Sequence, residues 1–451
     1  MGRWFWLIPA ALLAMSIAAW RIDRGRDTRS ALWSVDANEL REEQLALFRK
    51  LNPDLPLRID PSSPDLTKTL VQSIGGVGPD LFCVYDPAQL TAAVKSGIAL
   101  DVTDEFGPDG IDLAGKVWPG SLDCAVYDGR IYGIPNNVGP VGMWFDREAF
   151  DEAGIPYPSG PWSWEEFLKI APRLVKRDGD GRIVRHALGL DWNCWPHFVM
   201  QWGGSCYNAD GTRCTIDSPE AVAAVTFMRD LIYRYELAPT PVEESAMASA
   251  GGWGQGTLRY FASGRYATAL GGRWWLMMLR QHPELRSGVC ESPHGPVRVF
   301  QCTAKATVVN AASPRREIAL GFLRYLLSEE YNQLVTSQGD ALGPLKSAGA
   351  GDPEVEVWRG MMAVSRPIDR SDFVNGLVAA RLISRQLDLV KNRLKSPADA
   401  LRDAARDVNI EICRSVLEDP ELQERYRELT GRSLTRADLR KLEEERREES
   451  K

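Results

Sequence analysis

Apolar positions along this chain recur at two alternating spacings, and that alternation predicts an architecture. Ala31 to Val35 is a short extended run, and Leu40, Leu45, Leu47, Phe48 and Leu51 then recur at helical spacing over Glu39 to Leu51. Leu57 to Ile59 restores a strand. A strand, a one-faced helix and a strand in that order make a βαβ unit, which implies a parallel sheet. The pattern continues with a helix over Ser63 to Gly75, a buried strand over Pro79 to Tyr85, and a helix over Ala88 to Ser96 ended by Gly97. In open α/β sheets the loops at the carboxyl ends of strands border the ligand crevice, which places Trp33 to Asp36 and Tyr85-Asp86 there.

Further along, Arg130 to Ile134 and Val141 to Phe145 read as two strands separated by Pro135-Asn136-Asn137-Val138-Gly139-Pro140. A segment that is extended, broken by Pro and Gly, and extended again suits a chain crossing from one lobe to another. Ser163 caps the next helix, with Glu165 and Glu166 in its first turn. The strand Ile183 to Leu190 runs into Asp191-Trp192-Asn193-Cys194-Trp195-Pro196-His197, a loop carrying two tryptophans. Flat apolar rings on such a loop suit stacking on a ligand face, which makes Trp192 and Trp195 candidates. Another strand, Arg265 to Leu270, ends in Gly271-Gly272-Arg273-Trp274-Trp275.

Composition sharpens the picture in a few places. A chain of 451 residues is too long for one core and implies two or three domains. Its formal charge of −7 and the absence of a basic patch argue against nucleic acid as a partner. The nearly unbroken apolar run Trp4 to Trp20, preceded by Arg3, exports the chain as a signal peptide or as an uncleaved anchor. Arg21, Arg24, Arg26 and Arg29 suit the anchor, and Ser16-Ile17-Ala18 suits cleavage. No cysteine follows the run, so a lipid anchor is not expected. Eight cysteines, none in CxxC spacing, fall in a compartment that permits disulfides; Cys194, Cys206 and Cys214, and separately Cys290 and Cys302, either close local bridges or stay as buried thiols.

Three motifs reduce to structure. Asp178-Gly179-Asp180-Gly181 resembles a calcium loop, but its twelfth position is Gly189, so a hairpin turn is expected. Gly254-Gln255-Gly256 lacks the third glycine of a dinucleotide fingerprint. His197 has no nearby acid and reads as a hydrogen-bonding or packing residue; no metal and no cofactor are expected.

Several segments together resemble the extracellular solute-binding proteins of ABC sugar importers, the group that includes maltose-binding protein. They are the central stretch Asp128 to Asp146, Gly160 to Phe167 (GPWSWEEF), Phe261 to Thr268 (FASGRYAT) with the following Gly-x-Trp, the helix Pro314 to Ser328, Gly339 to Ser347 (GDALGPLKS) and Pro397 to Cys413, in the family's order. The resemblance implies an α/β, two-lobed periplasmic-binding-protein fold of type II, with the ligand cleft between lobes joined by hinge segments. It implies a signal peptide or anchor over 1–30, one lobe over 31–138 and 300–345, the other over 139–299 and 346–415, and a charged helical extension over 416–451, read as solvated. Hinges are expected near Pro135 to Pro140, His294 to Cys302 and Gly343 to Ser347. The ligand-binding set it implies is Trp33, Asp36, Tyr85, Asp86, Asn137, Trp192, Trp195, Trp274 and Phe373. The expected partners are a sugar or polyol and the membrane subunits of an ABC permease, with the chain itself a monomer outside the cytoplasmic membrane.

Two other functions are compatible with the residues. Arg273 suits a bidentate bond to an anionic ligand, which would make the chain a receptor for a carboxylate or phosphate. Asp36 and Asp86 would serve a carbohydrate-active enzyme if held about 5 to 9.5 Å apart. Acids in such loops more often accept hydrogen bonds from sugar hydroxyls, so an enzyme is not the expectation.

Overall fold

A computed structural model describes residues 29–60, 65–246 and 255–449. The expected leader or anchor lies outside the described residues, and among these no helix is long and apolar enough to cross a membrane. Two sheets organise the rest. In the first, Ala31–Ser34 lies between Leu57–Ile59 and Leu81–Val84, parallel to both, as the βαβ pattern requires. Leu81–Val84 is buried throughout, which explains its unbroken apolar sequence. Helix Glu39–Leu51 covers this sheet through Leu45 and Phe48, and Asn38 caps it by accepting from the Arg41 N–H. Phe48 meets Phe322 of helix Arg316–Leu326 edge-on at 5.1 Å, and Trp33 sits 4.7 Å from the same ring.

The second sheet runs in the order Ser287–Cys290, Gly142–Asp146, Tyr266–Gly271, Ile183–Gly189, Lys176–Arg177. The Asp178 carboxylate accepts from the N–H groups of Asp180 and Arg182, closing the hairpin turn expected there. Ser163 and Glu166 form a reciprocal capping box at helix Trp164–Ile170.

Two long strands connect the halves. Gly133–Pro140 pairs antiparallel with Phe300–Val309, from Val308 opposite Gly133 to Cys302 opposite Pro140. The register slips beside Lys305, where Asn137 faces Lys305 and Pro135 faces Ala306, leaving Asn136 as the extra residue of a bulge. Pro135 has no N–H to lose at that slip. Past Pro140 the Val141 N–H donates to the Gln301 carbonyl, and the chain continues into Gly142–Asp146 of the second sheet.

The third crossing lies further on than Gly343 to Ser347. That segment stays on the first half: Leu345 bridges to Val117, the Lys346 N–H donates to the Lys116 carbonyl, and the Leu345 N–H donates to Asn332 Oδ1. Helix Pro353–Met362 then packs where the two sheets meet, its Trp358 5.7 Å from Trp144 of the second sheet within a core cluster that also holds first-sheet residues. The chain leaves through Ser365–Arg366, which pairs parallel with Phe300–Gln301. The sequence conceals this because Pro344 marks a turn without saying on which half the turn sits.

The charged C-terminal extension is docked, where an exposed helix was expected. Leu422 and Tyr426 of helix Pro420–Thr430 are buried in the second core, and Glu443 of helix Arg436–Glu449 pairs with Arg414 at 2.5 Å. Leu422 and Tyr426 stand four residues apart on one helix face, an apolar pair hidden among charges. All eight cysteines are buried and free. Tyr207 faces Cys214 while the Thr215 N–H donates to the Cys206 carbonyl, so Cys206 and Cys214 are one step apart in the ladder and point to opposite faces.

A charge-balanced crevice as candidate functional site

The carboxyl ends of the parallel strands converge as the topology dictates. Asp36 follows Ala31–Ser34 and Tyr85 follows Leu81–Val84; the Tyr85 hydroxyl stands 3.4 Å from Asp36 Oδ1. Lys305, on the crossing strand opposite the bulge, donates to the same Asp36 oxygen at 2.6 Å, and its ammonium lies 5.8 Å from the centroid of the Tyr85 ring. The other Asp36 oxygen accepts from Arg41 Nη2 at 3.2 Å and Asn38 Nδ2 at 3.1 Å. Arg41 also donates through Nη1 to Asp340 Oδ2 at 2.7 Å and Gln44 Oε1 at 3.0 Å. Asn137, opposite Lys305 on the partner strand, donates to that Asp340 oxygen at 2.9 Å.

Two cations therefore face two carboxylates. Burial by itself would raise the Asp36 pKa, but Lys305 and Arg41 outweigh it and hold the group at about 2. Asp340 is likewise lowered, burial being overcome by Arg41 and Lys305. Arg41 and Lys305 are almost wholly covered, whereas 40 % of the Asp36 side chain is accessible, so the network meets solvent through Asp36. Tyr85, 41 % exposed, stands beside it.

A sequence model described as bacterial extracellular solute-binding protein matches residues 33–333, about two thirds of the chain. The chain belongs to this family. It is 26% identical over 342 residues to an uncharacterised lipoprotein of Streptomyces antibioticus, covering 73% of this chain and 72% of the relative. To an arabinooligosaccharide-binding protein of Halalkalibacterium halodurans it is 27% identical over 213 residues, 46% of each chain. In fold it resembles the ABC substrate-binding protein of Listeria monocytogenes solved with cycloalternan, at a TM-score of 0.73 and 21% identity, covering 84% of this chain and 98% of the other. The fold is thus the two-lobed one expected, and the family is extracytoplasmic.

The solute-binding protein distributes the nine residues of the expected site unevenly. Asp36, Tyr85 and Asn137 come together in the charge network. Asp86 instead caps helix Pro87–Lys95, its carboxylate accepting from the Gln89 N–H at 2.8 Å, and burial pushes its pKa up. Trp33 is completely buried: its strand turns that side toward Phe322, three residues before Asp36. Phe373 is buried edge-on against Tyr426, so the extension covers the place where an aromatic contact was expected. Trp192 and Trp195, 8 % and 9 % exposed, lie mostly inside the second core, although Trp192 keeps a buried Nε1 without an acceptor. Trp274 is half-buried on the turn after Tyr266–Gly271 and meets Trp275 at 6.1 Å.

Two further expectations meet geometry. Arg273 is buried and donates through Nη1 to the carbonyls of Thr336 and Ala341 at 2.8 and 2.9 Å, so it clasps a turn of the second sheet to the end of helix Glu329–Gln338. It does not present itself to an anion. His197 is fully buried, with Nε2 3.0 Å from Ser292 Oγ and Nδ1 accepting from the Gln301 N–H; burial lowers its pKa to about 3, so it packs against a crossing strand as a neutral ring. Sequence reasoning missed Lys305, Arg41 and Asp340. Lys305 carried a signal, as the single charge within the buried strand Phe300–Val309. A charge in a buried strand requires a partner.

Proposed function

We propose that this chain is the solute receptor of an ABC importer, capturing a neutral sugar or polyol between its two halves and handing it to a permease in the membrane. The observation that carries this reading is the charge balance of the crevice: Lys305 and Arg41 against Asp36 and Asp340 leave no net charge for an ionic ligand to answer. Asp36, Tyr85 and the half-buried Trp274 offer what a sugar ring uses, hydrogen-bonding groups for hydroxyls and flat apolar faces for C–H surfaces. The oligosaccharide named for the Halalkalibacterium relative and the cycloalternan bound by the Listeria protein support the same class. Binding without turnover follows from the acids: both Asp36 oxygens are engaged and Asp86 is committed to a helix end.

The two halves of the proposed clamp are residues 31–140 with 300–364, and 142–299 with 370–430. The crossing strands Gly133–Pro140 and Phe300–Val309 serve as the hinge, with Ser365–Arg366 as a third link. The receptor works as a monomer, exported by its N-terminal apolar run and held at the membrane if that run is retained. Calorimetric titration with neutral mono- and oligosaccharides, polyols, uronates and sugar phosphates, with mass spectrometry of the recovered ligand, tests the reading. Saturable binding of one neutral class, recovered unchanged, is expected. Binding only of anions, or release of cleaved product, would replace it.

A further inference from the structure

We propose that Lys305 is the residue that sets the ligand selectivity of this crevice, by spending its charge on Asp36 so that the floor presents a neutral hydrogen-bonding surface. This rests on reading the crevice as the solute site. The placement of Lys305 argues for such a role. It sits on a crossing strand paired into the first sheet, opposite the bulge of its partner strand, and an ammonium this deeply buried tolerates only a tightly paired carboxylate. A structural charge pair could have been built entirely within the first half, as Arg41 and Asp340 already are. Lys305 instead reaches from the hinge strand to the half-exposed Asp36, under the face of the exposed Tyr85. It thereby fixes which Asp36 lone pairs remain for a ligand hydroxyl and removes the carboxylate's attraction for a cationic ligand. The reverse holds as well: Asp36 screens Lys305 from an anionic one.

The proposal makes selectivity reversible by substitution. Asp36→Ala leaves Lys305 and Arg41 facing Asp340 alone and opens a carboxylate-sized space beside two cations. Formate, acetate and inorganic phosphate should then raise the melting temperature of D36A by several degrees more than they raise that of the wild-type chain, because an anion that binds only the folded state stabilises it. In the double variant Asp36→Ala/Lys305→Met that extra shift should vanish. Equal anion shifts in D36A and the double variant, or none in D36A, would overturn the assignment. A second readout covers the case in which D36A fails to fold. Lys305→Met should weaken binding of the neutral sugar at least tenfold and favour an amino sugar over its neutral counterpart, whereas a K305M variant with wild-type preferences would also overturn it. Wild-type chain that binds no neutral sugar would remove the proposed function, while the anion shifts would still decide the role of Lys305.

Discussion

The two halves of the molecule are built by different physics. On the first-sheet side the working groups are charged and come from distant parts of the chain: Lys305 reaches Asp36 across 269 positions, and Arg41 reaches Asp340 across 299. On the second-sheet side the notable groups are aromatic and local, with the largely buried Trp192 and Trp195 on one turn and the half-buried Trp274 beside buried Trp275 on another. A buried ionic network is unforgiving, since removing one member strands its partners in a medium that does not solvate them. An aromatic cluster degrades by lost contact alone. The difference teaches that the polar side depends on every member of one long-range network, while the aromatic side depends on the local packing of each turn.

The largest expected effect breaks the polar side. Arg41→Met leaves Asp36 and Asp340 with Lys305 alone and should cost about 3 to 5 kcal/mol in urea unfolding. The surface pair Lys176–Glu152, with both partners well exposed, should cost about 0 to 1 kcal/mol on Lys176→Ala, and equal losses would refute the contrast.

Next comes a division among the tryptophans. Trp192→Ala removes a largely buried ring from the second core and should lower stability by about 3 to 5 kcal/mol. Trp274→Ala should leave more of the stability intact and weaken ligand binding about tenfold, a cost of about 1.4 kcal/mol. Denaturant midpoints and calorimetric affinities of the two variants separate these outcomes, and an exchange of the two effects would reassign the ligand face.

Acid titration probes two windows. The folded pKa of His197, about 3, lies below its unfolded value near 6.5, so the unfolded chain binds more protons and stability falls as pH drops from about 6.5 toward 3. Asp36 is also depressed, to about 2, so its contribution is present above its unfolded value near 4 and is lost between about 4 and 2. His197→Gln should flatten the first window and Lys305→Met the second. Fluorescence-monitored unfolding from pH 7 to 2.5 reads both, and unchanged slopes in either variant would remove the corresponding assignment.

How much of this was legible in the sequence follows the same division. Local patterns carried the βαβ unit, the Ser163 cap and the Asp178 turn, whereas the break expected over Pro135 to Pro140 is instead the continuous strand Gly133–Pro140, bulged at Asn136 because the long crossing partner pairs along it. Trp33 was misplaced because a sequence marks the end of a strand without saying which face its last residues take, and here that face meets Phe322. Phe373 was misplaced because Tyr426, which covers it, belongs to a segment whose charges hide its apolar face. That Asp36 and Tyr85 stand together was legible from strand ends alone, but their joining with Lys305 and Asp340 was not, since those partners stand hundreds of residues away and no local periodicity encodes them.

The most direct measurement is the affinity of Tyr85→Ala and Trp274→Ala for the sugar that the wild-type chain binds, by calorimetry, with melting temperatures of the unliganded variants alongside. If one ligand lies between the polar and the aromatic side, both variants lose about tenfold or more in affinity while staying folded. Wild-type affinity in either variant would contradict a shared site between the two halves.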